Sequence, residues 1–449
     1  MESKLPKNWV ETELGVISQV ITGNTPSKKH SEYYNGDIPW IKPGDIRTGI
    51  ELFNSVETLT EEGAKNARLL SKGAVMVTCI GNLGNVAIAG TQMATNQQIN
   101  SVIFNKYIDD KYGYYACNLL KPWLIENSTS TTISMVNKSV FSKAPFPLPP
   151  LAEQQRIVAK LDTLFGSLDA LKIRLNNIPQ LIKNFKQAVL TQAVTGKLTQ
   201  EWRVGKELEK WENLKLGDII NSIDAGKSFK CPEYPVEKGQ VGLVKISAVT
   251  WDFFNPKETK TVTDKSKINE KYFINSGDFL ISRANTLELV GASVLVDDIE
   301  FDIMLSDKVW RVNFINDNTK LYAHRFLKSS EGRIEIESRA TGNQLSMRNL
   351  SQNNFKDINI PFPPKEEQTE IVKRVENLFS KADAIEKQYK TLKEKIDRLP
   401  QAILAKAFKG ELVAQLPTDG DAKDLLEEIK KLKESLVVKP KKKVVRNKK

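Results

Sequence analysis

Apolar residues recur at regular intervals along two long stretches of this sequence. The intervals alternate between four and three residues, the heptad spacing that places one apolar seam along a helix. The first stretch carries Ile157, Leu161, Leu164, Leu168, Leu171, Leu175, Ile178, Ile182 and Phe185. The second carries Ile371, Val375, Leu378, Ala382, Ile385, Tyr389, Leu392, Ile396 and Leu399. The pattern predicts two long helices, each with a coiled-coil seam of the same length.

The two stretches are copies of one another. The phrase "PLPPLAEQQRIVAKLDTLF" begins at Pro147, and "PFPPKEEQTEIVKRVENLF" begins at Pro361, an offset of 361 − 147 = 214 residues. At the same offset, "QAVLTQAVTGKL" from Gln187 matches "QAILAKAFKGEL" from Gln401. Register held over this length indicates an internal duplication.

Proline and glycine mark where these helices bend and end. Pro179 falls inside the first apolar pattern, where it removes a backbone hydrogen bond, so we expect a kink there and not a stop. Pro400 follows the last seam residue of the second copy, which predicts the first turn of a new short helix. Gly196 and Gly410 stand at matching positions and are expected to end the helices.

The arrangement of the two helices follows from the chain between them. If the roughly 150 intervening residues form one compact domain, their ends lie close together, and the helices run antiparallel. From Ile157 to Phe185 the seam extends about 42 Å at about 1.5 Å per residue. Two amphipathic helices lying on separate cores remain the alternative, although equal seams favour mutual packing.

The segments before each helix are also related, though more loosely. "NWVETELGVI" from Asn8 resembles "KWENLKLGDI" from Lys210, and "SKGAVMVT" from Ser71 resembles "NSGDFLIS" from Asn275. "NQQINSVIF" from Asn96 matches "SDKVWRVNF" from Ser306. Short β-type runs, glycine turns and some helix predict an α+β fold for both, giving the chain a pseudo-two-fold internal symmetry.

Composition places the protein among cytoplasmic globular proteins. The 449 residues carry a net charge of +11, of which seven charges belong to the tail "KPKKKVVRNKK", Lys439 to Lys449. That tail is either simply solvated or an electrostatic arm for nucleic acid or a partner. No stretch has the roughly 20 apolar residues that a membrane helix needs. Three widely spaced cysteines do not indicate a disulfide framework or a zinc site.

The sequence contains no recognisable catalytic motif. There is no G-x-x-x-x-G-K-[ST] loop for ATP phosphates and no Asn- or Asp-Pro-Pro-aromatic sequence. The histidines, His30 and His324, have no neighbours at metal-ligand or triad spacing. The glycines of "TCIGNLGNVAIAG" from Thr78 match no nucleotide fingerprint and favour β-turns. We therefore expect no catalytic residues and no metal site in this chain.

The doubled "PLPPLAEQQRIV" and "AFKGEL" phrases resemble those of the specificity subunit of type I restriction–modification systems, and the resemblance covers nearly the whole chain. It implies target-recognition domains at residues 1–146 and 201–360, helical spacers at 147–200 and 361–415, and a short helix with a basic tail at 416–449. In that family, each recognition domain reads one half of a split, non-palindromic DNA site. The helical regions set the gap and dock the other subunits.

The resemblance also implies the partners and cofactors. The expected partners are double-stranded DNA, two methyltransferase subunits and the restriction or translocase subunits. Methylation of adenine and ATP-driven cleavage belong to those subunits, so S-adenosylmethionine, ATP and Mg are expected on them and no cofactor on this chain.

Residues that contact DNA are predicted among the polar and basic loops. Lysines position phosphates, whereas arginines and amides can read base edges. The first-domain candidates are Asn24, Thr25, Lys28, Lys29, Asn96, Gln97 and Gln98. The second-domain candidates are Lys227, Lys230, Arg283, Asn285, Lys308, Arg339, Asn343, Gln344 and Arg348. For each residue taken singly, a solvated surface position remains the alternative.

Two other functions are compatible with parts of the sequence. A coiled-coil scaffold could bridge two identical partners without nucleic acid. A stand-alone nuclease or fused methyltransferase is disfavoured because its motifs are missing.

Overall fold

The computed structural model describes residues 5–46, 49–129, 133–249, 253–344 and 347–437. Its described residues form two compact units. The first unit combines residues of Met1–Arg174 and Leu392–Lys449, and the second consists of residues of Leu175–Thr391. The domain boundaries given above were drawn from the sequence, and they stay predictions.

The first half of the chain alternates short strands and helices before one long helical stretch. Its elements are β1 (Val10–Glu13), α1 (Leu14–Ile17), β2 (Ser18–Thr22), β3 (Tyr34–Ile41), β4 (Glu51–Leu52), β5 (Thr58–Leu59), α2 (Glu61–Lys65), β6 (Leu69–Leu70), β7 (Val75–Thr78), β8 (Val86–Ala89), β9 (Met93–Thr95), β10 (Ile99–Phe104), α3 (Asp110–Asn118), α4 (Lys121–Glu126), α5 (Lys138–Phe141), β11 (Pro145–Leu148), α6 (Leu151–Asn176) and α7 (Ile178–Val194).

The second half has a similar alternation of short strands and helices, followed by one long helix and an additional helix. Its elements are α8 (Gln200–Arg203), β12 (Glu212–Lys215), β13 (Ile220–Ala225), β14 (Val241–Val244), β15 (Thr259–Val262), β16 (Phe279–Ser282), β17 (Ala284–Asn285), β18 (Ser293–Leu295), β19 (Asp302–Met304), β20 (Val309–Phe314), α9 (Asp317–Leu327), α10 (Ser330–Arg339), β21 (Thr341–Gln344), β22 (Met347–Asn349), α11 (Gln352–Lys356), β23 (Asn359–Phe362), α12 (Lys365–Phe408) and α13 (Ala422–Val437). The mixed helix and sheet content confirms the predicted α+β class.

Each unit contains a central sheet, and three strands of one sheet are equivalent to three strands of the other. In the first unit the strand order is β2-β10-β7-β8-β4, and in the second it is β13-β20-β16-β18. β10 and β20 each lie between two antiparallel neighbours. Asn100 faces Thr22 and Val77, and Trp310 faces Ala225 and Ile281. This register makes β2, β10 and β7 equivalent to β13, β20 and β16.

The remaining strands form smaller sheets within each unit. The first unit contains a sheet in the order β5-β3-β9-β6 and the pair β1-β11. The second contains β15-β14-β19, β17-β22-β21 and the pair β12-β23. The pairs β1-β11 and β12-β23 place the start of each recognition region beside the proline-rich entry to the following helix.

The start of each helical repeat is fastened by the same hydrogen bonds. Gln154 is fully buried, and its Nε2 donates to the Pro149 carbonyl at 3.0 Å. Gln368 is almost fully buried, and its Nε2 donates to the Pro363 carbonyl at 2.8 Å. Buried polar groups need such partners, which accounts for glutamine in both copies of the phrase.

The helices pack in opposite directions within each unit. In the first unit Ile157 and Leu161 at the start of α6 share a core with Leu404 and Phe408 at the end of α12. In the second unit Val189 and Leu190 of α7 share a core with Ile371 and Val375 at the start of α12. The antiparallel arrangement predicted from the sequence is confirmed inside each unit.

The buried stripe is narrower than the predicted seam. Leu164, Leu378 and Tyr389 are half-buried, while Ile157, Leu161, Leu168, Leu175, Ile371 and Val375 are buried. Leu171, Ile385 and Leu392 are 39%, 52% and 44% exposed. Burial thus recurs mainly every seven residues, at one of the two alternating apolar positions in each heptad.

The two prolines behave differently from each other. Asn177 separates α6 from α7, and Pro179 lies in the first turn of α7, so the helical stretch is interrupted near the proline and then resumes. The prediction that Pro400 begins a new helix was wrong, because Pro400 lies inside α12. Ile396 and Leu404 are buried on either side of it, and their packing outweighs the single hydrogen bond that proline removes. Gly196 and Gly410 follow the helix ends at φ of 76° and 72°, as predicted.

The helix after residue 420 belongs to the first unit. Ala422 and Ile429 of α13 are buried in the core that also contains Leu14 of α1. Lys433 Nζ donates to the carbonyls of Gly15 in α1 and of Ser18, the residue that follows α1. The basic tail, Lys439 to Lys449, lies outside the described residues. Within the described ranges, no helix is long and apolar enough to cross a membrane.

Candidate nucleic-acid interface

In the first recognition region, a loop after β2 lies against the turn before β10. A Cβ atom on Gly23 would come within 2.2 Å of the Thr95 carbonyl oxygen, so only glycine permits this approach. Beyond it, the exposed Thr25 hydroxyl donates to Gln97 Oε1 at 2.6 Å. The Asn96 amide donates to Gln98 Oε1 at 2.9 Å. The structure therefore brings four predicted residues, Thr25, Asn96, Gln97 and Gln98, together at the edge of the central sheet. These residues form the first face.

The other predicted residues of this loop have different surroundings. Asn24 Oδ1 accepts from the backbone N–H of Arg68 at 2.8 Å, and its Nδ2 donates to the Asn66 carbonyl at 2.8 Å. These bonds fix the loop, and they occupy the groups that would read a base. Lys28 and Lys29 are exposed further along the loop, where they could contact phosphates.

The second recognition region repeats this arrangement with different side chains. A Cβ atom on Gly226 would come within 1.8 Å of the Leu305 carbonyl oxygen. The Ser228 hydroxyl donates to Asp307 Oδ1. Lys227, Lys230 and Lys308 are exposed on the same loop and turn. Together with Ser228 and Asp307 they form the second face.

A small sheet extends the second face. Arg283 Nε donates to the Asp307 carbonyl at 2.8 Å, and Asn285 pairs with Arg348 between β17 and β22. The Arg348 guanidinium donates to the carbonyls of Gly342 and Ala340, which holds the β21–β22 hairpin. Gln344 is exposed on that hairpin, while the side chain of Asn343 lies outside the described part of the structure.

Arg339 does not join this cluster. Its guanidinium forms ion pairs with Glu335 at 3.0 Å and Asp357 at 3.4 Å, which direct it toward α11. A guanidinium that is already paired with two carboxylates is less available to bind a phosphate. The arrangement therefore favours a structural role for Arg339.

Asp307, Ser228 and Arg68 were not among the residues predicted from the sequence. The predicted residues in these loops were mainly basic or amide side chains, whereas a carboxylate and a serine lie at the centre of the second face. Arg68 is exposed, and its guanidinium donates to the Thr22 carbonyl at 2.7 Å beside the first cluster. The alignment of "NQQIN" with "SDKVW" contained a signal, since it places Asp307 opposite Gln97.

The described residues contain no group of three or more His, Cys, Asp or Glu that could hold a metal ion. The three cysteines are free thiols. Burial raises the pKa of the Cys79 thiol to about 11, which keeps it protonated at neutral pH.

Comparison with known proteins identifies the family. The model of the type I restriction modification DNA specificity domain matches twice, over residues 6–180 and 208–394. The chain belongs to this family. Like its relatives it is a specificity subunit, which is not itself catalytic, and catalysis lies in other subunits.

Similarity extends along nearly the full length of several family members. The chain is 29% identical to the EcoKI specificity subunit of Escherichia coli K12, covering 95% of this chain and 96% of the relative. It is 28% identical to the StySPI specificity subunit of Salmonella potsdam, covering 92% and 91%. The crystal structure of the HsdS subunit from Thermoanaerobacter tengcongensis has a similar fold. It matches with a TM-score of 0.62 at 19% identity, over 91% of this chain and 99% of that one.

Proposed function

We propose that each recognition domain of this specificity subunit reads one half of a bipartite, non-palindromic DNA site. The observation that carries the proposal is the same polar face built twice in one chain. Both faces have a glycine-fixed loop, and both have a hydroxyl bonded to the turn before the central strand. The side chains presented differ, with Gln97 in one face and Asp307 in the other. Two similar faces with different side chains should recognise two different half-sites.

The charged residues around these faces fit contact with duplex DNA. Lys28 and Lys29 flank the first face, and Lys227, Lys230 and Lys308 flank the second, all exposed. Phosphate contacts of this kind supply most of the affinity and none of the sequence information. The amide and carboxylate groups at the centre of each face would supply the specificity.

The duplicated helices serve the remaining part of the proposal. They present two similar surfaces, which suit two methyltransferase subunits, with restriction or translocase subunits joining the same complex. The separation of the two readers would set the unread gap between the half-sites. S-adenosylmethionine, ATP and Mg would bind to these partner subunits and not to this chain, in the cytoplasm.

The proposal is tested by expressing the chain with its methyltransferase partner in cells that lack other adenine methylation. Sequencing should reveal one methylated motif with two different halves and an unread gap of fixed length. A continuous or palindromic motif would contradict the reading of one half-site per domain.

A coiled-coil scaffold without nucleic-acid recognition is the alternative. It is distinguished by titrating duplex DNA into the purified complex at increasing salt. A DNA-reading subunit should bind tightly and lose affinity steeply with salt, because phosphate contacts release counterions. A scaffold would form the partner complex and show no such dependence.

A further inference from the structure

The two recognition faces place one side chain at the same structural position. Trp310 is equivalent to Asn100 in the strand register, and Arg283 is equivalent to Cys79. The Cys79 N–H donates to the Gln98 carbonyl at 2.8 Å, and the Arg283 N–H donates to the Lys308 carbonyl at 3.0 Å. The residues just before these carbonyls, Gln97 and Asp307, are therefore equivalent.

Both side chains are held by the loop that follows the fixed glycine. Thr25 lies two residues after Gly23, and Ser228 lies two residues after Gly226. Each hydroxyl donates to one terminal oxygen of the equivalent side chain. This bond removes side-chain freedom before any ligand arrives, which is the usual means of preorganising a recognition group.

The two side chains differ in what they can offer a base. In Gln97 the held atom is Oε1, and within the described structure Nε2 has no hydrogen-bond partner. An amide that can donate and accept matches N7 and N6 of adenine. In Asp307 both carboxylate oxygens can only accept, and the side chain is 43% exposed. An acceptor-only group matches the N4 amino group of cytosine.

Arg283 lies beside Asp307 at this position. Its guanidinium Nη2 lies 3.9 Å from Asp307 Oδ2, and its Nε donates to the Asp307 carbonyl. The carboxylate is thus the acceptor group on a face that otherwise carries positive charge. The first face has no arginine at the equivalent position, where Cys79 is buried.

We propose that Gln97 and Asp307 are equivalent base-reading residues, Gln97 selecting adenine in one half-site and Asp307 selecting cytosine in the other. Thr25 and Ser228 are the positioning residues that orient them. This inference rests on the proposed function, since it names the side chains through which each domain reads its half-site.

The test is the methylated motif of matched variants, each assembled with its methyltransferase partner. Asp307→Asn keeps an acceptor for Ser228 and adds a donor, so discrimination for cytosine at one position should fall roughly tenfold or more. Gln97→Glu should relax one adenine position in the other half-site by a similar factor. Asp297→Asn changes an exposed acid of the second domain outside this face and should leave the motif unchanged.

Competition between duplexes substituted at single positions provides a second readout, which works even if a variant methylates poorly. Thr25→Val should reduce the same discrimination as Gln97→Glu, and Thr25→Ser should restore it. If both Asp307→Asn and Gln97→Glu retain the wild-type preference at every position, the assignment is overturned while the proposed function stands. If the wild type itself shows no bipartite motif, the proposed function fails and the assignment fails with it.

Discussion

The two copies of the helical repeat bury the same carboxylate in different surroundings. Glu153 and Glu367 stand 214 residues apart in the sequence, and both are fully buried. Glu367 accepts from Arg203 at 2.7 Å, from Trp211 Nε1 at 2.8 Å and from Thr199 at 2.6 Å. Among the described residues, the Glu153 carboxylate accepts from two side-chain amides alone, Asn8 at 3.1 Å and Gln415 at 3.0 Å.

The surroundings differ because the partners come from outside the repeated phrase. Trp9 matches Trp211 in the sequence, yet in the described structure its buried Nε1 has no hydrogen-bond partner. Arg156, which lies close to Glu153, forms its ion pair with Asp419 at 2.6 Å. A duplicated segment thus keeps its backbone and its buried acid, while each copy satisfies the hydrogen bonds of that acid with side chains that the neighbouring chain supplies.

The largest expected effect comes from removing the cation in the second copy. Arg203→Met should lower the free energy of unfolding by about 3–5 kcal/mol, because it leaves the buried Glu367 charge uncompensated. The free energy is measured from urea unfolding at pH 7. Adding Glu367→Gln should recover part of the loss, since the charge then disappears.

Two further variants sharpen this result. Asn8→Ala removes one amide from Glu153 and should cost about 1–3 kcal/mol, less than the loss of a cation. Lys186→Met breaks the exposed pair with Asp383 and should cost less than about 1 kcal/mol. Equal losses for Arg203→Met and Lys186→Met would show that the burial of Glu367 does not determine the effect.

These contrasts explain how far the sequence could predict the molecule. The heptad spacing and the 214-residue offset predicted the helices, and the compact domain expected between them predicted their antiparallel packing. The matched glycines predicted the helix ends at Gly196 and Gly410. The continuity of α12 through Pro400 was not predictable, since it depends on packing around Ile396 and Leu404. Sequence rules for helix formation include the missing N–H of proline, but they do not include the tertiary contacts that compensate for it.

The candidate site was predictable in outline only. Loop polarity located Thr25 and the amides near Gln97, and the basic loop residues near Lys227. The bond from Ser228 to Asp307 depends on the register of β13 with β20, which a single sequence does not display. The ion pairs that occupy Arg339 likewise arise from tertiary structure.

The prolines provide the second comparison. Pro400→Ala restores an N–H inside α12 that can donate to the Ile396 carbonyl. This should raise the free energy of unfolding by about 1–2 kcal/mol. Pro179→Ala lies in the first turn of α7, where the N–H needs no helical partner, and should change it by less than about 0.5 kcal/mol. Urea unfolding of both variants measures this difference. A larger stabilisation by Pro179→Ala than by Pro400→Ala would contradict the prediction.

The acids that begin α3 and α9 give a third comparison, visible in the pH dependence. Partial desolvation and the Asp109 charge raise the pKa of Asp110 to about 6, whereas Lys320 lowers the pKa of Asp317. A carboxyl whose pKa is raised in the folded state binds protons more tightly there. The stability that the protonated Asp110 carboxyl contributes is therefore lost as pH rises from about 4 through 6. For Asp317 the sign is opposite, and stability is lost as pH falls through its folded-state pKa.

Substitution by asparagine separates the two acids. Asp110→Asn should raise the free energy of unfolding by about 1 kcal/mol at pH 7, a value reduced by solvent screening, and have little effect at pH 3.5. Asp317→Asn should slightly destabilise the protein at pH 7. Thermal unfolding between pH 3.5 and 8 measures both, and a pH-independent gain from Asp110→Asn would rule out titration as its cause.

The smallest expected effect lies on the exposed face of the repeated helices, where Gly166 in α6 matches Ser380 in α12. A Cβ atom on Gly166 would meet nothing within 4 Å, and its φ is not positive, so the glycine has no steric reason to be there. Gly166→Ala should stabilise the protein by about 0.5–1 kcal/mol, because alanine loses less backbone entropy in a helix. Ser380→Ala should gain about half as much, since serine is already the better helix former. Urea unfolding of the single variants and the double variant tests this, with additive gains expected for sites without shared contacts. A loss of stability in Gly166→Ala would mean that α6 needs its glycine for flexibility, which a purely local account of helix propensity does not include.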